Sequence, residues 1–408
     1  MDNVTHALAG MLLAEVVVQH RQGRDTPAPG WGRWAHVVSV VANNLPDLDI
    51  AYIGITGGKL GYLAHHRGHT HTLAFAVVQA VLLVGVLRLF RRRRLKDWSR
   101  GDWGWMAAIA AIGPLLHLAM DAGNTYGVHP FWPLDNGWHY GDRMFIIEPL
   151  LWAGVAPVLA FAVSSRAAKV GLGLLALVGV ALSWLTGFLP VSSAILVTLT
   201  TALAAGLAWR STPPRRVALG VGAALVVYGT FIGVGARARQ LVVADAADRA
   251  PERLIDAAIA PLPANPRCWS LSSLSVTDDV VVLRRGVVLP FGGEPEQLCR
   301  ARTGEPTAPL VPVAQPSSGP VRIQRTMRYP RAALAAVAGN CHAAVFFRWS
   351  RLPFHLVQGE QIVIGDLRYD FDASIGWAEL ALPPDGTPCP RFVPDWTPPR
   401  EGLLSESP

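Results

Sequence analysis

Gly104-Trp105-Met106-Ala107-Ala108-Ile109-Ala110-Ala111-Ile112-Gly113-Pro114-Leu115-Leu116-His117-Leu118-Ala119-Met120-Asp121 is an uncharged run that ends in a histidine and an aspartate. It is close to the roughly 20 apolar residues that a helix needs to cross a bilayer. His117 and Asp121 stand at i and i+4, so a helix places imidazole and carboxylate on one face, about one turn apart. This stretch predicts a membrane helix with a polar device at its end. Alone, a His–Asp pair serves as a structural cap or a buried hydrogen bond about as readily.

Outward from this run, similar apolar stretches occupy 4–19, 34–45, 72–90, 148–163, 170–189, 191–209 and 217–234. The whole chain of 408 residues is 51% hydrophobic and only 16% charged, against roughly a quarter charged in a soluble domain. Its mean hydropathy is +0.31. After about residue 236 the Pro, Arg and Asp content becomes that of a water-facing domain. The expectation is an α-helical polytopic membrane domain over 1–236 with about eight transmembrane helices, seven to nine being acceptable because 34–45 is short. A small β-rich extracytoplasmic domain follows over 237–395, and 396–408 reads as a disordered tail. The leader Met1-Asp2-Asn3-Val4-Thr5 lacks a cationic region, so the first run is read as part of the mature protein and not as a signal peptide.

Orientation follows from basic residues, which favour cytoplasmic loops. With eight helices, one set of loops carries fifteen: Arg21, Arg24, Arg33, Arg88, Arg91, Arg92, Arg93, Arg94, Lys96, Arg100, Arg166, Lys169, Arg210, Arg215 and Arg216. The other set has Lys59, Arg67 and Arg143. His6, Asp47, Asp49, His65, His66, His69, His71, His117 and Asp121 then all fall at the outer ends of the helices. An even helix count also puts the C-terminal domain outside. That domain holds all four cysteines, Cys268, Cys299, Cys341 and Cys389, which predicts two disulfides with three connectivities open.

Ionisable side chains at membrane spans mark functional sites by default. In Asn43-Asn44-Leu45-Pro46-Asp47-Leu48-Asp49 the proline ends the apolar run and leaves two carboxylates in a turn. A solvated turn is the plainer alternative. His65-His66-Arg67-Gly68-His69-Thr70-His71-Thr72 is the strongest local signal: four histidines in seven residues suit a divalent metal, and the arginine suits an anion. A non-specific His-rich tract is the competing reading. Trp132, Trp138 and Tyr140 in the following loop read as interfacial aromatics. Glu148, just before Pro149, reads equally as a helix-start carboxylate and as a site residue.

Together these elements resemble the YdjM-like family of bacterial membrane-bound predicted metal-dependent hydrolases. The resemblance runs over roughly residues 1–165. It is carried by Met1-Asp2-Asn3-Val4-Thr5-His6-Ala7-Leu8-Ala9-Gly10, Leu45-Pro46-Asp47-Leu48-Asp49, His66-Arg67-Gly68-x-Thr70-His71, His117-x-x-x-Asp121 and Ile146-Ile147-Glu148-Pro149. It implies a metal set of His6, Asp47, Asp49, His66, His71, His117 and Asp121, flanked by His69 and Glu148, at the bacterial inner membrane. A fainter similarity joins the pattern to helical zinc-dependent bacterial phospholipases C, which would imply more than one zinc. That is an analogy of pattern and does not establish function.

The expected activity is hydrolysis of an ester or phosphoester, lipid-linked, at the outer face of the membrane. A divalent ion, zinc foremost, would lower the pKa of water and polarise the scissile oxygen. Asp47 or Asp49 would serve as ligand or general base, and Arg67 would pair bidentately with a phosphate or carboxylate. The rivals are a metal or ion transporter and a non-catalytic protein stabilised by its metal. Against transport, 170–234 contains no acidic residue or histidine to continue an ion path. The net charge of +7 lies mostly in the loops that orient the helices, so nucleic acid is not an expected partner. In the C-terminal part, 280–283, 321–325, 343–348 and 361–364 read as strands, and 244–260 as a helical link.

Overall fold

The computed structural model describes residues 1–91, 95–299, 311–313, 319–370, 374–384 and 386–404. Arg92, Arg93 and Arg94 of the basic loop, and residues 405–408 of the tail, lie outside the described residues. Each of the eight apolar runs forms a helix: α1 (Asn3–Gln22), α2 (Trp31–Asn44), α5 (Leu73–Arg91), α6 (Arg100–Asp121), α7 (Pro149–Ala162), α8 (Arg166–Leu185), α9 (Val191–Trp209) and α10 (Pro213–Ala247). Between α2 and α5 the chain makes a 3-10 turn over Pro46–Tyr52, then the short helices α3 (Ile53–Thr56) and α4 (Gly58–His65). Among the described residues, α6, α8, α9 and α10 are long and apolar enough to cross a membrane. A fifth span arises if the segments Gly58–His71 and Leu73–Leu89, bent by 73° at their junction, count together.

The remaining runs fall short of that criterion for visible reasons. Two of them, α2 and α7, have 14 residues each. The first helix carries charge that the fold neutralises inside: buried Arg21 donates to Asp102 at 2.8 Å, and Glu15 pairs with His36 at 3.0 Å. Pairing of this kind is what allows ionisable groups to be buried. The helix ends obey local rules. Asp2 caps α1 through the amides of Val4 and Thr5, Ser99 and Asp102 form a capping box on α6, and Pro149 opens α7.

Small residues let the first helices approach closely. At Gly10 an added Cβ would come within 2.8 Å of the Ser39 carbonyl, whose own hydroxyl donates to Gly10 O at 2.7 Å. On the other side of α2, a methyl at Gly113 would collide with Ala42. The second helix is therefore wedged between α1 and α6, which brings His6, Asn43 and His117 to one level. Away from this wedge the helices present apolar side chains outward, among them Val81, Leu89, Leu177, Leu185, Leu199 and Leu203.

The 35 residues of α10 would extend about 52 Å, well beyond a hydrocarbon core of about 30 Å. Its C-terminal half packs on the β-rich domain: Phe231, Ala238 and Val242 share a core with Ile259, Trp269 and Leu271. That domain contains a five-stranded antiparallel sheet in the order β1-β2-β3-β5-β4: Arg253–Leu262, Asn265–Thr277, Val280–Val288, Val321–Pro330 and Val311–Pro312 respectively. The strands β6 (Pro353–Gln358), β7 (Gln361–Asp366) and β8 (Glu379–Ala381) form a second sheet. Cys268 pairs with Cys299 and Cys341 with Cys389, one of the three connectivities open in the sequence.

Three expectations need correction. The run 343–348 is not a strand: Cys341–Phe347 is a helix whose start is capped by the Asn340 side chain on His342 N and Ala343 N. The stretch 244–260 is half helix and half strand, since α10 ends at Ala247 and β1 begins at Arg253. The tail is ordered as far as it is described, because Trp396 is 1% exposed and its indole N–H donates to Ala64 O at 2.8 Å. Composition shows the Pro and Glu content of a tail, whereas one buried indole is enough to anchor it.

Candidate metal centre

The 3-10 turn, the His69–His71 turn and the end of α6 converge on one buried point. Asp47, His71, His117 and Asp121 each offer one donor atom there, all four within 4.8 Å of one another. The Nε2 atoms of His71 and His117 are 3.1 Å apart. Asp47 Oδ1 is 3.4 Å from the first and 3.5 Å from the second, and Asp121 Oδ2 is 3.3 Å from both. A tetrahedral ion with bonds of about 2.0–2.1 Å holds its ligands about 3.3–3.4 Å apart.

Hydrogen bonding makes this a donor set for a cation and not a self-satisfied polar network. His117 Nδ1 donates to Asn43 O at 2.6 Å, and His71 Nδ1 donates to the Thr70 hydroxyl at 3.0 Å. With each ring proton engaged at Nδ1, both Nε2 atoms carry lone pairs. Two lone pairs and two carboxylate oxygens then face a common point, and Asp121 Oδ2 is buried without a hydrogen bond. Arg67 and the Met1 amino group offset the Asp121 charge, whereas the two Nε2 lone pairs and the Asp47 oxygen face one another with no donor between them, a place that a cation would fill. The donor set fits a divalent metal.

The other candidates surround these four atoms. Asp49 stands behind the histidines: its carboxylate accepts from His66 Nδ1 at 3.0 Å, Arg67 N at 2.8 Å and the Thr70 hydroxyl at 3.0 Å. Burial works against its charge, but the histidine hydrogen bonds outweigh this and hold the Asp49 carboxyl well below the usual carboxylate range. His66 reaches the centre through Asp49 and through an edge-to-face contact with His71 at 5.9 Å, its ring stacked on Tyr62 at 4.8 Å. His6 stacks on His117 with ring centroids 3.6 Å apart and faces Asp121 Oδ1 at 3.2 Å. The Met1 amino group also lies against Asp121 Oδ1. Seven expected ligands thus resolve into four converging donors, with His6, Asp49 and His66 one step out.

Arg67, expected to grip an anion, is instead 2% exposed and committed inward. It donates to Asn124 Oδ1 at 2.7 Å, and its Nε lies 3.1 Å from Asp121 Oδ2, so it steadies a ligand carboxylate. His69 stands between Trp132 and Trp396, each ring 4.7 Å away, and faces the tail. Glu148 lies outside the centre. Its Oε1 accepts from Leu150 N at 3.0 Å and Ala264 N at 3.1 Å, tying the start of α7 to the β1–β2 turn. Sequence reasoning missed Asn3, whose amide donates to Asp47 Oδ2 at 3.0 Å, together with the Asn43 carbonyl, Thr70 and Asn124. The signal available for Thr70 and Asn124 was their place within, or three residues beyond, a motif.

Fold and site together define a helical membrane protein with a candidate metal centre of histidines and carboxylates, joined to a β-sheet domain. Residues 1–189, a little under half of the chain, match the model of the YdjM inner membrane protein family. The chain is also 24% identical over 143 residues to a Bacillus subtilis (strain 168) protein described as uncharacterized protein YfhP, across 34% of this chain and 39% of that protein. The alignment thus spans well under half of that relative. No solved structure matches the chain.

Proposed function

We propose that this protein is a membrane-embedded, zinc-dependent hydrolase that cleaves an ester or phosphoester of a lipid-linked substrate at the outer face of the inner membrane. The observation that carries the reading is the convergence of two Nε2 lone pairs and two carboxylate oxygens within 4.8 Å of one another, each carboxylate oxygen 3.3 to 3.5 Å from both nitrogens. Histidine and carboxylate donors in that number suit zinc over harder ions. A bound zinc ion supplies Lewis-acid polarisation of the scissile oxygen and a water nucleophile at neutral pH.

The protein's own residues divide the remaining work. Asp47 is the only one of the four donors with an exposed part, 13% of its side chain, so substrate approaches past it. With His71, His117 and Asp121 as the three ligands of a catalytic zinc site, the fourth position would be open to water, and Asp47 beside that edge would take the proton of the attacking water. Asp49 is a positioning residue that keeps His71 and His66 oriented. Leu48 and Ile50, 61% and 57% exposed, put an apolar rim next to Asp47, which fits a substrate with a lipid part. Eight membrane crossings with the site outside agree with the distribution of basic residues, and two disulfides agree with an oxidising compartment for the β-rich domain.

Protein purified in detergent, stripped by a chelator and reloaded with zinc, is expected to turn over members of a panel of phosphate and carboxylate esters, and the stripped protein to be inactive. Ion flux in liposomes without any turnover would replace the reading with transport. Unfolding on chelation with neither activity would leave a structural metal.

A further inference from the structure

A second site lies beside the metal centre. Where the loop after α6, the C-terminal half of α10, β1 and the C-terminal tail meet, the chain forms an open cavity of about 500 Å³. Tyr140, Arg143, Arg239, Arg351 and Arg400 line it, with Asp256 as the acidic group of the lining. Behind this wall, Asp142 accepts from Arg351 at 2.8 Å and Arg239 at 2.7 Å. Arg351 also donates to Asp256 at 2.7 Å, and Arg400 leans on the same carboxylate. Two carboxylates therefore face four guanidinium groups.

The surplus falls on identifiable donors. Among the described residues, the Arg143 guanidinium has no hydrogen bond and no ion pair, although its backbone is fixed by Arg143 N donating to Gly123 O at 2.7 Å. The Tyr140 hydroxyl is enclosed and has no hydrogen-bond partner. Its ring packs against Arg351, 4.2 Å from the centroid. The Tyr140 hydroxyl is thus an enclosed donor without an acceptor, of a kind that is rare in native proteins, and Arg143 is a half-buried cation without a counter-charge. A group that supplies several acceptor oxygens and negative charge satisfies both, and guanidinium matches phosphate in shape as well as in sign. A cavity of this size, within the usual range for small-ligand sites, takes a phosphate with its substituent.

We propose that this cavity is an anion site that binds a phosphate group, as the free ion or as the headgroup of an acidic phospholipid, with Arg143 and Tyr140 as its open donors. The site is separate from the histidine–carboxylate cluster and does not depend on hydrolysis there. Its link to that cluster is Gly123, two residues beyond Asp121, which holds the Arg143 backbone.

The test is calorimetric titration of the full chain, purified in an uncharged detergent without phosphate or sulfate. The probes are inorganic phosphate and, separately, dihexanoylphosphatidylglycerol, with dihexanoylphosphatidylcholine as the zwitterionic control. The wild type is expected to bind at least one of the first two. Arg143→Ala should weaken binding about 10–100-fold, as for loss of a charge-assisted hydrogen bond, and Tyr140→Phe should weaken it severalfold. Since the Arg143 guanidinium has no partner to lose, the melting temperature of Arg143→Ala should match that of the wild type. If it does not, Tyr140→Phe carries the test. Arg143-dependent binding of inorganic phosphate identifies a free-anion site, and binding confined to the anionic lipid identifies a headgroup site. No binding of either probe, or binding that neither variant weakens, overturns the proposal.

Discussion

Alanine at His117 is expected to leave the purified protein without its divalent metal, measured by elemental analysis after dialysis against a weak chelator. The imidazole supplies one of the four converging donors, and its Nδ1 bond to Asn43 O fixes which nitrogen faces the centre. Loss of partners that merely orient a ligand typically costs 10–100-fold in metal affinity, so loss of the ligand itself should exceed that range. On the proposed function, turnover should vanish with the metal. The variant should still insert, because the helix termini and the contact of Gly113 with Ala42 do not involve the ring. Full metal content in His117→Ala would remove this residue from the donor set.

The second large effect is structural. Arg351 is 3% exposed and bridges Asp142, in the loop after α6, to Asp256 on β1. Removing one member of a buried charge pair strands the other and typically costs about 3–5 kcal/mol. Arg351→Met keeps apolar bulk and removes the bridge, so loss of that order is expected, although Arg239 remains as a partner of Asp142. Detergent melts should show a lowered transition, and limited proteolysis should show earlier cleavage between the helical region and the β sheet. An unchanged melt would mean that the bridge contributes nothing beyond its packing.

The helical part of the fold was legible because apolar length is a strong signal: each of the eight runs is a helix, even where α1, α2 and α7 fall short as membrane spans. The candidate metal centre was legible as a set of residues, since His71, His117, Asp47 and Asp121, which the structure brings together, were all named from motif and spacing. Its order was not. Whether a carboxylate ligates or orients depends on what else reaches its oxygens, and for Asp49 these partners come from His66, Arg67 and Thr70, whose geometry a turn alone determines. Arg67 was misjudged for a related reason: a guanidinium beside histidines reads as free to bind an anion until Asn124 and Asp121 are seen to occupy it. In the C-terminal part, 343–348 has the apolar content of a strand, and the decisive feature is a single capping residue, Asn340.

Among the fastenings of the sheet domain on the helical region are the unbroken α10, the buried Arg351 bridge, the Glu148 carboxylate on Ala264 N and the Trp396 indole on Ala64. A roof fixed at several points has little freedom to swing. On the proposed placement, traffic to Asp47 then runs sideways past Leu48 and Ile50, and the pace of substrate delivery is set by diffusion in the plane of the membrane.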